Sequence, residues 1–298
     1  MLEKFQIGSI GGYTLLHGSS KVQILNEYGC TISHLTLNGR KVLDTNTQYE
    51  DVAKQTLNKN IFLLPFPNRV AAGKYTFENT AHELEKTEAE RGNAIHGLIS
   101  KKKFELKDSD ITQSLITVSF ETMITKDEFP GYPFDLHLEI IFKLSALALD
   151  IIIKTENTGH INAPYGVGWH PYITAEKKID DCRITIPAEN ELDMSVEHPL
   201  IPTGRKLHNI FGLDTRSIGD TKFDSCFTDF HRNEVQFEDI TVWMDPSMKY
   251  MQLYTPPSRE SLAVEPMSCA PDAFNNLMDI LVLHPHQQVE HHFGLRLT

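Results

Sequence analysis

Apolar and polar residues alternate along most of the chain with the two-residue period of β-strands. The clearest stretch, HLEIIFKLSALALDIIIKTENTG, predicts two strands that meet near Ser145 and Ala146 and end at 157–159. In HLTLNGRKVLD, the pair Asn38-Gly39 lies between two strand-like runs, a composition typical of a tight hairpin whose two turn residues have positive φ. Long amphipathic helices are hard to find in this pattern.

Seven other runs predict further strands: KVQIL, LITVSFET, CRITIP, ITVWMD, YMQLYT, LAVEP and QQVEHHFGLRLT. Turn residues recur roughly every ten positions between the strands, which favours a large antiparallel β-sandwich over alternating strands and helices. No repeat period, low-complexity tract or linker rich in Pro, Gly or Ser divides the sequence. We therefore expect an all-β fold in which residues 1–298 form a single domain.

The charge balance is acidic, with a formal net charge of −12 over 298 residues. It excludes a general attraction for nucleic acid or an anionic membrane, and the basic run KKKF at 101–104 is interpreted as a solvated face because acids follow it. No segment approaches the roughly 20 apolar residues that span a bilayer, and the N-terminal MLEKFQIGSI lacks the apolar core of a signal peptide. We expect a cytoplasmic protein with no nucleic-acid or membrane partner.

The spacing of cysteine and histidine does not favour a metal centre. Four cysteines are scattered without a C-x-x-C pair, which favours reduced thiols over disulfides or a zinc site: Cys30, Cys182, Cys226 and Cys269. The C-terminal HPHQQVEHHF holds four histidines. Adjacent His291 and His292 would point to opposite faces of a strand, so they could not both bind one ion without distortion.

Four segments place chemically capable side chains beside predicted strand ends or turns: PFPNRVAAGKYTF, GNAIHGL, GWHPYI and AVEPMSCAPDAFNN. In GWHPYI, His170 could exchange protons near neutral pH, although a half-buried structural histidine is the commoner interpretation of such a residue taken alone. Glu265 ends an apolar strand ahead of Pro266, which would partly desolvate its carboxylate and raise its pKa toward that of a general base. The missing side chain of Gly97 would let a ligand approach His96.

Six motifs follow one another from Asn68 to Asn275: NRVAAGKYTF, NAIHG, WHPYI, FDSCF, MQLYT and VEPMSCAPDAFN. In this order and spacing the sequence resembles the aldose 1-epimerases, also called galactose mutarotases. The resemblance implies closely packed antiparallel sheets of the galactose mutarotase-like type, and an isomerase that interconverts the α and β anomers of a free aldose without a cofactor or metal. It also implies that Glu265 is the general base, that His170 protonates the ring oxygen, and that His96 faces the sugar as a second catalytic histidine.

The resemblance further implies five substrate-binding residues: Asn68, Arg69, Asp224, Gln252 and Tyr254. Tyr254 would offer a flat apolar face to the sugar, with Trp169 as a second candidate for that contact. The structural alternatives are an ion pair between Arg69 and Asp224, and ordinary strand packing for Tyr254. Two departures from well-known members, Leu98 in place of a second glycine and the short connection TPPSRESLAV, border the expected site and leave the preferred sugar open.

Three other functions would use the same residues. A non-catalytic sugar-binding or sensor domain would need aromatic and hydrogen-bonding groups but no acid–base pair. A glycosidase would use Asp224 and Glu265 as its two carboxyl groups. A hexose 6-phosphate mutarotase would gather cations near the far end of the sugar, with Arg91, Lys101 and Lys102 as candidates. The sequence does not distinguish a monomer from a homodimer.

Overall fold

Strands hold 49% of the residues and helices 6% in the computed structural model, which describes all 298 residues, so the all-β prediction is confirmed. The first fourteen strands are β1 (Leu2–Ile7), β2 (Ile10–His17), β3 (Ser20–Leu25), β4 (Thr31–Leu37), β5 (Arg40–Lys41), β6 (Phe62–Leu63), β7 (Arg69–Val70), β8 (Lys74–Phe77), β9 (Thr80–Glu83), β10 (Ala94–Ile95), β11 (Glu105–Ile111), β12 (Ile116–Ile124), β13 (Leu136–Leu144) and β14 (Ala148–Asn157).

The second half of the chain continues in the same way. Its strands are β15 (Ala163–Tyr165), β16 (Gly168–Trp169), β17 (Tyr172–Ile173), β18 (Arg183–Thr185), β19 (Ala188–Met194), β20 (Pro202–His208), β21 (Arg216–Ser217), β22 (Asp224–Phe230), β23 (Glu234–Phe237), β24 (Ile240–Met244), β25 (Tyr250–Tyr254), β26 (Leu262–Met267), β27 (Leu281–Leu283) and β28 (Gln288–Leu297). The helices are short: two α-helices, α1 (Tyr49–Lys54) and α2 (Ala273–Asn276), and three 3-10 helices, Thr56–Asn58, Ala71–Gly73 and Ile179–Asp181.

The strands form three main sheets in which every neighbouring pair is antiparallel. The order is β1-β2-β3-β4-β5 in the first sheet and β11-β12-β13-β14-β28-β24-β23-β18-β21 in the second. The third sheet has the order β20-β19-β22-β25-β26-β16-β6, with β17 also paired to β26. Three separate two-stranded pairs complete the set of strands: β7 with β10, β8 with β9 and β15 with β27.

The turns predicted from the sequence are present. Leu37 pairs with Arg40 across Asn38 and Gly39, whose φ angles are 49° and 78°. Two consecutive positive φ values give the turn the twist that an antiparallel hairpin needs, and Asn and Gly adopt them at low cost. The longest hairpin, between β13 and β14, also turns around Ser145 and Ala146 as predicted.

Aromatic rings join the second sheet to the third directly beneath the residues of the WHPYI motif. The Phe62 ring in β6 lies 5.8 Å from the Phe142 ring in β13, with their planes 70° apart. Trp169 in β16 is fully buried and stacks on Phe62 and on Phe293, at centroid distances of 6.2 Å and 6.0 Å. The indole therefore belongs to the core between the sheets, and this rigid layer supports the backbone at His170.

One edge of the second sheet is formed by β11, all seven residues of which are exposed.

Near the C-terminus, His291 and His292 in β28 point to opposite faces of the sheet, as predicted. His291 is 2% exposed, whereas the side chain of His292 is 39% exposed. All four cysteines are unpaired, as expected from their spacing in the sequence, and all four are buried. No helix in the structure combines the length and the apolar character required to cross a bilayer.

Candidate active site

One cavity of about 290 Å³ opens at the third sheet and is lined by all eight of the residues singled out as catalytic or substrate-binding. These are Asn68, Arg69, His96, His170, Asp224, Gln252, Tyr254 and Glu265. The structure thus brings together side chains that are up to 197 positions apart in the sequence. Eight further residues line the cavity, and none of them was assigned as catalytic or substrate-binding from the sequence: Leu57, Asn58, Thr87, Glu88, Arg91, Ile95, Tyr172 and Leu200.

Three neighbouring strands of the third sheet form the floor of this cavity. Asp224 in β22 lies opposite Tyr254 in β25, and Gln252 in β25 lies opposite Glu265 in β26. Residues opposite one another, and residues two apart on one strand, share a face of a sheet. Strand register alone therefore points these four side chains in the same direction.

Glu265 and His170 meet at the bottom of the cavity. His170 Nε2 lies 3.4 Å from Glu265 Oε1, and the two side chains are 6% and 2% exposed. Their other polar atoms, His170 Nδ1 and Glu265 Oε2, have no hydrogen-bond partner in the protein. Both of these atoms are buried, so a ligand in the cavity would reach the two atoms that face each other, His170 Nε2 and Glu265 Oε1.

Burial shifts both groups toward their neutral forms. It lowers the pKa of His170 to about 3, with a smaller contribution from the charge of Arg69. Burial also raises the pKa of Glu265 well above its ordinary value, with Asp224 adding to the effect and Arg69 opposing it. Two states of the pair have zero net charge. In one, a neutral carboxyl lies beside a neutral imidazole; in the other, the proton has moved to give a carboxylate beside an imidazolium. In either of these forms the two residues, called the dyad below, hold one proton between them.

The backbone and ring of His170 are held on several sides. Its N–H donates to Ile61 O over 3.0 Å, and its carbonyl accepts from the Asn60 N–H over 2.9 Å. The imidazole stacks on the Tyr172 ring at 5.1 Å with planes 5° apart, and the ring of His96 approaches it edge-on at 5.0 Å. These contacts fix where the two imidazole nitrogens point.

His96 enters the cavity from the connection between β10 and the following loop. Its φ is +64°, and its N–H donates to Asn68 O over 2.8 Å. Burial, followed by the nearby His170 and Arg69, lowers the pKa of His96 well below its ordinary value. His96 is therefore neutral at pH 7, and its buried Nδ1 has no hydrogen-bond partner in the protein.

Glycine is required at position 97 for a different reason from the ligand approach expected from the sequence. Its φ is +75°, and a Cβ built on it would lie 2.1 Å from Leu64 O, which also accepts a hydrogen bond from the Leu98 N–H. Close packing of two backbone segments, rather than the approach of a ligand, requires glycine here. The expectation that Gly97 opens space for a ligand was wrong.

Arg69 pairs with an acid that the sequence reasoning missed. Its guanidinium contacts Glu88 through Nη2 at 2.9 Å and Nε at 3.0 Å, and its Nη1 donates to Asn68 Oδ1 over 3.1 Å. Asp224 instead accepts a hydrogen bond of 3.1 Å from Gln252 Nε2. The alternative of a structural ion pair between Arg69 and Asp224 is therefore wrong.

The remaining aromatic and cationic candidates differ in whether their side chains line the cavity. Tyr254 lines the cavity, whereas Trp169 is fully buried in the core and was a wrong candidate for the sugar contact. Tyr172 is the aromatic residue that lines the cavity within the WHPYI motif. Of the three cations considered for a phosphate, only Arg91 lines the cavity, and Lys102 is paired with Glu128 elsewhere.

Replacing Glu265 with Gln should increase stability at neutral and alkaline pH. The folded-state pKa of Glu265 is raised above 4.5, so the unfolded chain loses its proton first as the pH rises. The free energy of unfolding of the wild type then falls by up to about 1.4 kcal/mol per pH unit until the folded pKa is reached. Urea unfolding at pH 4 and pH 8 should show the Glu265→Gln advantage growing with pH. An advantage that is the same at both pH values would contradict this account.

Solved structures match the whole fold. A galactose mutarotase-like protein from Clostridium acetobutylicum has a TM-score of 0.88 at 17% identity, covering 100% of this chain and 98% of that chain. A galactose 1-epimerase from Lactobacillus acidophilus NCFM has a TM-score of 0.83 at 15% identity, with coverage of 100% and 98%. The fold is therefore that of the galactose mutarotase-like proteins.

Similarity in sequence identifies the family, which structural similarity alone does not. The family model for aldose 1-epimerase matches residues 12–296. The uncharacterised protein YihR of Escherichia coli K12 is 32% identical over 251 residues, and the match covers 78% of this chain and 78% of that protein. The chain belongs to the aldose 1-epimerase family.

Proposed function

We propose that the protein is a mutarotase that interconverts the α and β anomers of a free aldose, with Glu265 as the base and His170 as the acid. The observation that carries this proposal is the 3.4 Å contact between His170 Nε2 and Glu265 Oε1 at the bottom of the cavity. A binding module has no need for two buried titratable groups in contact with each other. The family membership and the fold support the same activity at a coarser level.

The chemistry requires two proton transfers on one sugar. As a carboxylate, Glu265 takes the proton of the anomeric hydroxyl, while His170 as imidazolium gives its proton to the ring oxygen. The ring opens to an aldehyde, the bond between the first two carbons rotates, and the ring closes on the other face with the roles exchanged. The dyad ends each cycle with the single proton with which it began, so no external acid or base is consumed.

The other lining residues would orient the sugar. Arg69, Asn68 and His96 present donors and acceptors on one side of the cavity, and the carboxamide and carboxylate of Gln252 and Asp224 do so on the floor. Burial raises the pKa of Asp224, an effect that Arg69 opposes. Gln252 Oε1 is buried without a hydrogen-bond partner in the protein, so a sugar hydroxyl donating to it would satisfy it. Tyr254 would contact the C–H groups of the ring.

We infer that the reaction needs no metal or redox cofactor, because both chemical steps are proton transfers. We also infer that residues 1–298 act as one catalytic domain. A core cluster of 59 buried residues includes side chains from all three main sheets.

Polarimetry tests the function directly. Pure α anomers of several hexoses, pentoses and a hexose 6-phosphate are dissolved with and without the protein, before and after exhaustive chelation. We expect faster relaxation of optical rotation, unchanged by the chelator. Activity that is lost on chelation and restored by a divalent metal would overturn the metal-free mechanism. Sugar binding without acceleration would favour a sensor domain, and hydrolysis of aryl glycosides would favour the glycosidase.

Free aldoses should be better substrates than their 6-phosphates. The cations that line the cavity, Arg69 and Arg91, both already contact Glu88, and Asp224 and Glu265 add further acids. A phosphate dianion would find no unpaired cation to offset its desolvation. We expect kcat/KM to be at least about 10-fold higher for glucose or galactose than for glucose 6-phosphate. The reverse preference would assign the protein to phosphorylated sugars.

A further inference from the structure

We propose that Glu88 is a positioning residue that fixes the guanidinium of Arg69 in the orientation that binds the sugar hydroxyls. Glu88 also fixes the guanidinium of Arg91, at the rim of the cavity. The inference rests on the proposed function, and it adds a residue that belongs to none of the recognised sequence motifs. Glu88 acts through the two arginines, whose side chains line the cavity beside its own.

The carboxylate of Glu88 receives hydrogen bonds from three side chains. Oε1 accepts from Arg69 Nη2 at 2.9 Å and from Arg91 Nη1 at 3.0 Å. Oε2 accepts from Arg69 Nε at 3.0 Å and from Asn93 Nδ2 at 2.8 Å. The side chain is only 11% exposed, so these charge-assisted bonds are largely shielded from water.

A tight turn holds Glu88 in place against the strand that carries Arg69. The Gly92 N–H donates to Glu88 O over 2.7 Å, and the Glu88 N–H donates to Asn93 O over 2.9 Å. Asn93 Oδ1 in turn accepts from the Ala72 N–H over 3.0 Å, just after β7. Immediately after this turn, β10 pairs with β7. The carboxylate is therefore rigid relative to Arg69 rather than a mobile surface group.

Donor counting shows what this arrangement leaves for a ligand. A guanidinium has five N–H donors. Arg69 directs Nε and one N–H of Nη2 to Glu88, and one N–H of Nη1 to Asn68. Two donors remain, and their directions are set by the pairing with the carboxylate. Without Glu88 the long side chain would have to be ordered by the sugar itself, at an entropic cost to binding.

The charge of Glu88 also affects the dyad. Burial raises the pKa of Glu88, but hydrogen bonds from Arg69, Asn93 and Arg91 outweigh it, so the net pKa is lowered and the group is anionic at neutral pH. The titratable and charged groups that face the cavity are Arg69, Glu88, Arg91, His96, His170, Tyr172, Asp224, Tyr254 and Glu265. Removing the charge of Glu88 would leave the Arg69 cation uncompensated, which favours ionised Glu265 and moves the alkaline limb of the pH profile to lower pH.

The test compares Glu88→Gln with Glu90→Gln, an exposed glutamate two residues away that does not line the cavity. With the best aldose, KM from polarimetry and Kd from calorimetry should both rise about 10-fold or more in Glu88→Gln, while kcat changes less than about 3-fold. The alkaline limb should move to lower pH by at least about 0.5 unit. Glu90→Gln should match the wild type in every measurement.

Two further variants separate positioning from a general effect on folding. Glu88→Asp keeps the charge but shortens the reach, so Kd should be intermediate while the alkaline limb stays at the wild-type pH. In an Arg69→Met background, Glu88→Gln should change Kd less than about 2-fold further, because its target is gone. Equal Kd values for Glu88→Gln and Glu90→Gln, or a full additional loss in Arg69→Met, would overturn the inference.

The wild-type results keep this inference distinct from the proposed function. A wild type that binds the sugar without accelerating anomer exchange would overturn the proposed function, and the Kd comparison would still decide whether Glu88 positions Arg69. A wild type that neither binds nor converts any tested sugar would overturn both.

Discussion

Glu265→Gln and His170→Asn should each lower the rate of anomer exchange by at least about 100-fold while sugar binding largely persists. Gln keeps the shape and hydrogen-bonding capacity of Glu265 but cannot accept the anomeric proton. Asn keeps a polar group at the position of His170 but cannot donate a proton to the ring oxygen at neutral pH. Polarimetry on the folded variants measures the rate, and calorimetry measures the binding.

The double variant provides the sharper test of a shared function. Since neither residue of the dyad is useful alone, Glu265→Gln combined with His170→Asn should lose less than the product of the two single effects. His291→Asn is a matched control, because His291 is also a buried histidine, hydrogen-bonded to Ser247 outside the cavity. Its rate should equal that of the wild type. Folded Glu265→Gln protein that turned over every tested aldose at nearly the wild-type rate would refute the mechanism.

The pH dependence should be a broad bell. Adding a second proton to the dyad removes the base, and losing the only proton removes the acid. Burial lowers the pKa of His170 to about 3, which places the acid limb well below neutrality, and it raises that of Glu265, which moves the alkaline limb upward. The acid limb of the kcat/KM profile should therefore lie well below pH 6.5, and the alkaline limb should lie well above pH 4.5, the ordinary pKa of a glutamate. A limb centred near 6.5, the ordinary pKa of histidine, would mean that His170 titrates independently of Glu265.

Gly97→Ala should be the most damaging single-methyl change near the site. The new Cβ would lie 2.1 Å from Leu64 O in a backbone with φ of +75°. The left-handed conformation costs about 1–2 kcal/mol and the overpacking a further 1–3 kcal/mol, so we expect unfolding to become easier by about 3 kcal/mol. The shift of the adjacent His96 should also lower kcat/KM by about 10-fold or more.

Gly18→Ala is the control for the backbone conformation alone. Gly18 has φ of +58°, and a Cβ built there would meet nothing within 4 Å. This variant should lose only about 1 kcal/mol and keep full activity. Urea unfolding and polarimetry on both variants give the comparison. Similar losses for the two glycines would show that the contact with Leu64 is relaxed without cost.

Local chemistry explains what could be predicted from the sequence. The Asn38-Gly39 turn and the long hairpin around Ser145 depend on neighbouring residues and a two-residue period, so they are visible without the fold. The order of strands in the three sheets depends on pairings between distant segments, which no local pattern encodes. The gathering of Asp224 and Glu265 in one cavity was anticipated only from the family resemblance.

The errors at the site have specific physical origins. Trp169 was a candidate for the flat apolar contact with the sugar, but it is next to His170, and adjacent residues of an extended chain point to opposite sides. The same alternation, applied from His170, would have selected Tyr172, which does line the cavity. Glu88 gave no signal, because its pairing with Arg69 depends on a turn docking against a strand 19 residues away.

The fully exposed strand β11 affects how readily two copies of this protein associate through their sheet edges. An open strand edge is a template on which another chain can extend the sheet, the route by which many β-rich proteins aggregate. In β11 that edge carries Glu105, Asp108 and Asp110, and its register shifts between Leu106 and Asp108. If two copies paired antiparallel about Asp108, their Asp108 carboxylates would lie opposite each other. Like-charge repulsion and the irregular backbone therefore disfavour edge-to-edge association through β11.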